Sequence, residues 1–284
     1  MASILDRYGI KEVADVTFYD IDSNGKRGKP VLYLDTLKVS TIEQTAETAD
    51  ARGGKGNPKL ISWDYGKEIN VSIEDALFSS KSLAIMFGNG AVTPASGAEI
   101  TRTAVVRIDK DGNLPDYFVA DVWDATAGSK RTKVRMKDTT ATPDQILFAD
   151  SGITLVSLTS EAGTVIDNAF TAEDWKTAQT SYKDQKAFVT YTVKATTKTI
   201  TISGDSFPGT YYVTGDTYAR SDVTGTDQFF QFIIPKAKVT SENTITLEAE
   251  GDPSVFSMNL TVLRPETGEM MKLVQYDLDQ PTAG

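Results

Sequence analysis

Apolar and polar residues alternate in short runs along most of this chain, the period of a half-buried β-strand. Residues 13–20 are β-branched and aromatic with partial alternation. The polar turn at residues 22–26 separates them from the apolar runs 30–35 and 37–42, and the first half of this stretch reads as a hairpin. Residues 59–65 and 67–73 form a second candidate hairpin around Gly66; Ile69, Val71 and Ile73 alternate there with Glu68, Asn70 and Ser72, which buries one face. Ser72 and Asp75 have the spacing of a variant capping box. This predicts a short helix over residues 74–87, with Leu77, Phe78, Ile85 and Met86 on its apolar side and Gly88 and Gly90 to stop it. Strand patterns return at residues 99–108, 117–123, 145–148 and 153–158. Thr171 opens a second short helix over residues 172–182, with Trp175 and Ala178 on one side, and strands follow at 187–193 and 199–203. The last third reads as six strands, 209–214, 218–220, 228–234, 244–249, 256–263 and 270–276, separated by polar turns. The pattern predicts a mainly β protein, a sandwich or barrel, with one or two short helices.

Two stretches interrupt the pattern. Residues 43–58 carry almost no large apolar side chain and include Gly53, Gly54 and Gly56, so they cannot bury a face of their own. They read as a long loop, or as an extended hairpin that becomes ordered only against a partner. Residues 126–143 are polar and threonine-rich. The chain is predicted to divide into residues 1–106 and 203–284, two parts of one β-scaffold, with an inserted or additional β module at 107–202.

Composition removes several kinds of chemistry. With no cysteine there are no disulfides, zinc–thiolate sites or thiol nucleophiles, and with no histidine there is neither Ser-His-Asp machinery nor imidazole metal ligation. The expectation is a protein that is not an enzyme and carries no cofactor. A net charge of −10 favours a surface that repels nucleic acid over one that binds it. No apolar run approaches the ~20 residues of a membrane span. The first residues lack the charged and apolar regions of a signal peptide, so assembly in the cytoplasm is expected.

The remaining motifs are weak. Asp20, Asp22, Asn24 and Gly25 match the first half of a calcium loop, but the twelfth position is Val31 where a bidentate glutamate is needed; Asp109, Asp111, Gly112 and Asn113 form a similar fragment. Both read more simply as β-turns. Gly53, Gly54, Lys55 and Gly56 lack the spacing of a phosphate-binding loop. Tyr211, Tyr212, Phe229, Phe230 and Phe232 could form a stacking platform, but strand spacing makes core the simpler reading. An adjacent aromatic pair still turns one ring outward, where a neighbouring subunit would cover it.

Three segments, residues 56–77, 229–239 and 247–256, are similar to tail tube and related tail structural proteins of tailed bacteriophages. The resemblance implies a β-sandwich or barrel of tail-tube type. It implies subunits that join into hexameric rings, and rings that stack into a hollow tube through which DNA passes on ejection. The implied partners are other copies of the chain and other tail proteins (tape measure, sheath, baseplate or terminator), with DNA only in transit and no membrane. The implied location is the virion tail. The early loop in such proteins contacts the neighbouring ring, which here points to Glu43, Glu47, Arg52, Gly53, Gly54, Lys55 and Gly56. A baseplate or head component, a receptor- or carbohydrate-binding β-sandwich, and an enzyme built on two carboxylates are the alternatives.

Overall fold

A computed structural model of the chain describes residues 7–10, 12–88, 91–120, 132–138, 145–146, 153–167, 172–242, 245 and 255–276. The chain divides into two compact units: Met1–Val92 with Ile200–Gly284, and Thr93–Thr199. Among the described residues every strand pairing in both is antiparallel, and the protein is mainly β.

The first unit begins with β1 (Tyr8–Ile10), β2 (Asp15–Ile21), β3 (Arg27–Leu34), β4 (Leu37–Arg52), β5 (Lys59–Asp75) and α1 (Ser80–Phe87). The second holds β6 (Thr93–Arg107), β7 (Tyr117–Ala120), β8 (Thr132–Arg135), β9 (Lys137–Asp138), β10 (Gln145–Ile146), β11 (Ile153–Ser160), β12 (Val165–Asp167), α2 (Ala172–Ala178) and β13 (Lys186–Thr199). The chain then returns to the first unit with β14 (Thr210–Ser221), β15 (Asp227–Val239), β16 (Phe256–Val262) and β17 (Lys272–Tyr276).

The large sheet of the first unit runs β3-β2-β14-β15-β16-β5-β4, with β1 added to β14 and β17 to β15. Its two edge strands are consecutive in the chain: Leu34 ends one and Leu37 begins the other. Laid flat, six strand spacings would separate them by about 29 Å. Three peptide steps reach about 11 Å. The sheet therefore rolls until its edges approach. Thr36 donates its hydroxyl to the buried Asp75 carboxylate, which also accepts Leu77 N–H at 3.2 Å, and Thr36 O accepts Ala76 N–H at 3.1 Å. These bonds tie the short link to the end of β5.

One apolar core fills the roll. Val16, Phe18, Leu32, Leu34, Val71, Ile73, Val213, Ile234, Leu260 and Val262 enter it from the strands, and Ile85 and Met86 from α1. Pro235 lies inside β15 without breaking the ladder. Ile234 pairs with Val213 and Ala237 with Tyr211, so Pro235 and Lys236 together oppose Tyr212 in a bulge that needs no proline N–H. Beneath β14 the Phe232 ring occupies the space where a Cβ on Gly215 would lie, 2.1 Å away.

The helix predicted over residues 74–87 is shorter. Residues 72–75 are hydrogen-bonded strand, with Ser72 opposite Thr41 on one side and Asn259 on the other. A ladder on both sides outweighs one local cap signal. The cap is instead Ser79, in a reciprocal box with Ser82. Ile85 and Met86 are buried as expected, whereas Leu77 and Phe78 are exposed. Residues 59–65 and 67–73 are one strand rather than a hairpin, and so are 209–214 and 218–220. Residues 200–203 carry no strand; β13 ends at Thr199. Gly90, residues 121–123 and 147–148, and most of the predicted strand at 244–249 lie outside the described residues.

In the second unit the sheet runs β12-β11-β13-β6, with the core of Ile108, Phe118, Met136, Leu155, Leu158, Val189 and Tyr191 on one face. Trp175 of α2 is buried there and donates its indole N–H to Gly112 O at 3.0 Å. The sequence placed the module at 107–202; the unit begins at Thr93 because β6 pairs with β13 from Arg107 opposite Lys186 to Thr93 opposite Thr199.

Replacing Gly215 with alanine should drive a Cβ into the Phe232 ring and cost about 1–3 kcal/mol. The check is the midpoint of chemical denaturation of the purified variant; an unchanged midpoint would contradict the ring placement.

Candidate functional site

The strands of the large sheet are unequal. β4 and β5 span 16 and 17 residues, whereas β16, the neighbour of β5, spans 7. Pairing between β16 and β5 stops at Asn70, opposite Thr261. From there residues 43–69 continue as a two-stranded arm whose pairing reaches Arg52 opposite Lys59. At ~3.3 Å per residue the arm extends about 30 Å. The loop alternative for residues 43–58 is thus overturned: most of the stretch is strand, because residues 59–69 supply the ladder partners that its own composition lacks.

The predicted contact residues are distributed along this arm. Glu43 and Glu47 lie on β4, Arg52 is its last residue, and Gly53, Gly54, Lys55 and Gly56 form the tip. Gly53 donates its N–H to Pro58 O at 3.2 Å, closing the turn. Below it, Asp50 holds the two strands together: Lys59 lies 2.8 Å and Arg52 3.3 Å from its carboxylate, and Ser62 donates a hydroxyl bond of 2.8 Å. Lys59 first, then Ser62 and Arg52, hold the Asp50 carboxyl below its ordinary value.

The apolar part of the arm was missed. Ile61, Trp63 and Tyr65 are more than half exposed and lie opposite Ala51, Ala49 and Glu47 on one face of the ribbon. By parity alone they would share a face with the buried Ile69, Val71 and Ile73. A bulge prevents this. Tyr65 opposes Glu47 and Glu68 opposes Thr45, so Gly66 and Lys67 face the single residue Ala46. Gly66 has φ of +63°, a conformation that suits glycine. One extra residue reverses the side-chain alternation. Toward the tip the odd residues of β5 point away from the core side, and toward the root they point into it. The face with Ile61, Trp63 and Tyr65 therefore continues into Glu68, Glu47 and Glu43. The signal for this was Gly66 itself, which can mark a bulge as readily as a turn.

The other motifs resolve into local structure. Asp22 accepts the N–H groups of Asn24 and Lys26 at 2.9 and 2.8 Å, and Asp109 those of Asp111 and Asn113 at 2.9 and 2.7 Å; both are side-chain-capped turns. Among the described residues no three Asp or Glu side chains gather as metal ligands would. Tyr211 and Phe232 are core, while Phe229 stacks on Tyr276 with ring centroids 5.4 Å apart and meets Tyr218 at a tilt, 5.3 Å away. No helix among the described residues is long and apolar enough to cross a membrane.

A family model described as the YomU/Tube protein family matches residues 8–142 and 123–275. No curated protein matches the chain.

The depressed Asp50 pKa gives the arm a pH dependence. A carboxyl held low in the folded state adds stability above its unfolded value, near 3.8, and loses it as the pH falls through the folded value. The protection factor of the amides at residues 50–62, the intrinsic rate divided by the observed rate at each pH, should be higher above about pH 4 and fall in more acid solution. Asp50→Asn should show low protection factors at every pH; equal protection in variant and wild type above about pH 4 would remove Asp50 as the strand clamp.

Proposed function

The chain belongs to the YomU/Tube protein family, and from that membership we propose that it is a non-catalytic structural protein of a phage virion which assembles into the tail tube. Copies join edge to edge into rings, hexameric by the resemblance described above, and the rings stack into a hollow conduit for DNA. The first partner is the chain itself, and the remaining tail proteins attach to the finished tube.

The observation that carries this reading is the arm. A two-stranded ribbon is at best marginally stable alone in water, and this one exposes Ile61, Trp63 and Tyr65 on a single face. Burying those side chains against another subunit would add on the order of 1.5–3 kcal/mol each. Tyr65 and Trp63 also suit an interface, since each combines a large apolar ring with a polar atom for the rim. The open edges of β3 and β4 favour the same outcome: unpaired strand edges are a hazard in a monomer and a joint in a ring. The acidic chain fits a bore through which a polyanion slides without sticking.

The test is negative-stain electron microscopy across a protein concentration series. Rings or hollow tubes with an axial repeat are expected. Gln44 lies directly opposite Ile69, so residues 45–68 can be replaced by an Asn-Gly turn without disturbing the rolled sheet. That variant should unfold near the wild-type temperature and fail to form stacked tubes. Compact wild-type particles that never polymerise would refute the tube reading.

A further inference from the structure

A cleft of about 790 Å³ opens on the face of the large sheet turned away from its core. Four cations line it: Lys26 and Arg27 from the β2–β3 turn and the start of β3, Lys236 from the β15 bulge, and Lys272 from β17. Lys272 is held by Glu269 at 2.5 Å, and Arg27 lies 5.1 Å from the centre of the Tyr19 ring. Lys26 and Lys236 have no ion-pair partner among the described residues. Between the cations the wall is apolar, formed by Tyr212, Ile233 and Pro235. Such a concentration of cations is unexpected on a chain of net charge −10. It fits a ligand that carries carboxylates beside aromatic or aliphatic side chains.

The arm has that composition. Glu43, Glu47 and Glu68 share one face with Ile61, Trp63 and Tyr65. In a single copy this face stays exposed, so it is not covered by the cleft of the same chain. We propose that the arm of one copy docks in the basic cleft of a second, with its glutamates on Lys26, Arg27 and Lys236 and its apolar side chains on Ile233, Pro235 and Tyr212. This rests on the self-assembly reading above and adds the receptor surface to it. A nucleic-acid strand is the poorer occupant, because its sugar–phosphate backbone would leave the apolar lining of Tyr212, Ile233 and Pro235 uncovered. Donor and acceptor are different surfaces of one chain. The contact is therefore heterologous and propagates from copy to copy instead of closing as a dimer. Complementary charge across it also raises the encounter rate and fixes the register.

The test is charge reversal in the full-length protein. One variant carries Lys26→Glu and Lys236→Glu, a second carries Glu43→Lys, Glu47→Lys and Glu68→Lys, and a third carries all five changes. All the altered residues lie on the surface, and circular dichroism checks that each variant folds. The proposal expects the critical concentration for assembly, read by sedimentation and microscopy, to rise roughly tenfold or more in each of the first two variants and to recover in the third. Assembly indifferent to either reversal, or no recovery in the third variant, would overturn the docking while leaving the tube reading intact. Binding of an oligothymidylate strand that is lost with Lys26→Glu and Lys236→Glu, with assembly unchanged, would instead assign the cleft to nucleic acid and overturn the proposal. A wild-type protein that never assembles overturns both readings.

Discussion

The two-residue link between β3 and β4 is the constraint on which the rest of the first unit depends. It joins strands that lie at opposite ends of the hydrogen-bonded path, so the sheet cannot stay flat. Once rolled, it encloses one side of β2, β3, β14, β15, β16 and the root of β5, and α1 adds Ile85 and Met86 to the core they share. The buried Asp75 carboxylate fixes the link by accepting from Thr36 and Leu77. A polar group in that position is tolerated because its Oδ1 accepts from both the Thr36 hydroxyl and the Leu77 N–H.

The arm follows from unequal strand lengths in this closed arrangement. β4 and β5 continue after β16 has ended, and among the described residues nothing covers Ile61, Trp63 and Tyr65 beyond that point. Gly66 then decides which way its apolar side chains face. Without the bulge they would continue the core-facing row. With it, they turn to the opposite face and join three glutamates, which leaves a surface both apolar and anionic. In the proposed assembly one glycine thus separates the residues that fold the subunit from those that hold subunits together.

The second unit has its own sheet and core, and its helix is fixed by the Trp175 indole bond to Gly112. A second glycine bulge occurs there: Ala195 opposes Ala98 and Thr197 opposes Ala95, so Ser96 and Gly97 face Thr196 alone, and Gly97 has φ of +70°. The paired stretch between this bulge and Thr93 lies at the point where the chain enters and leaves the unit, which is why the compact division begins earlier than a reading of strand runs suggests.

The sequence by itself determined the β class, the turns and most of the buried strand faces, because two-residue alternation and Asp, Asn and Gly at turns are local signals. Ile69, Val71 and Ile73 were legible as one buried row for that reason, as were the capped turns at Asp22 and Asp109. The absence of histidine and cysteine likewise set the chemistry without reference to any fold. Only the tertiary structure decided where a signal had to yield. Ser72 carries a helix-cap pattern, yet strands on both sides claim its backbone. Ile61, Trp63 and Tyr65 carry the pattern of a buried strand, yet they stand exposed on the arm. The polar run at residues 43–52 is a strand only because its partner lies across a turn. Each outcome depends on which distant segments become neighbours, and single-chain periodicity contains no information about that.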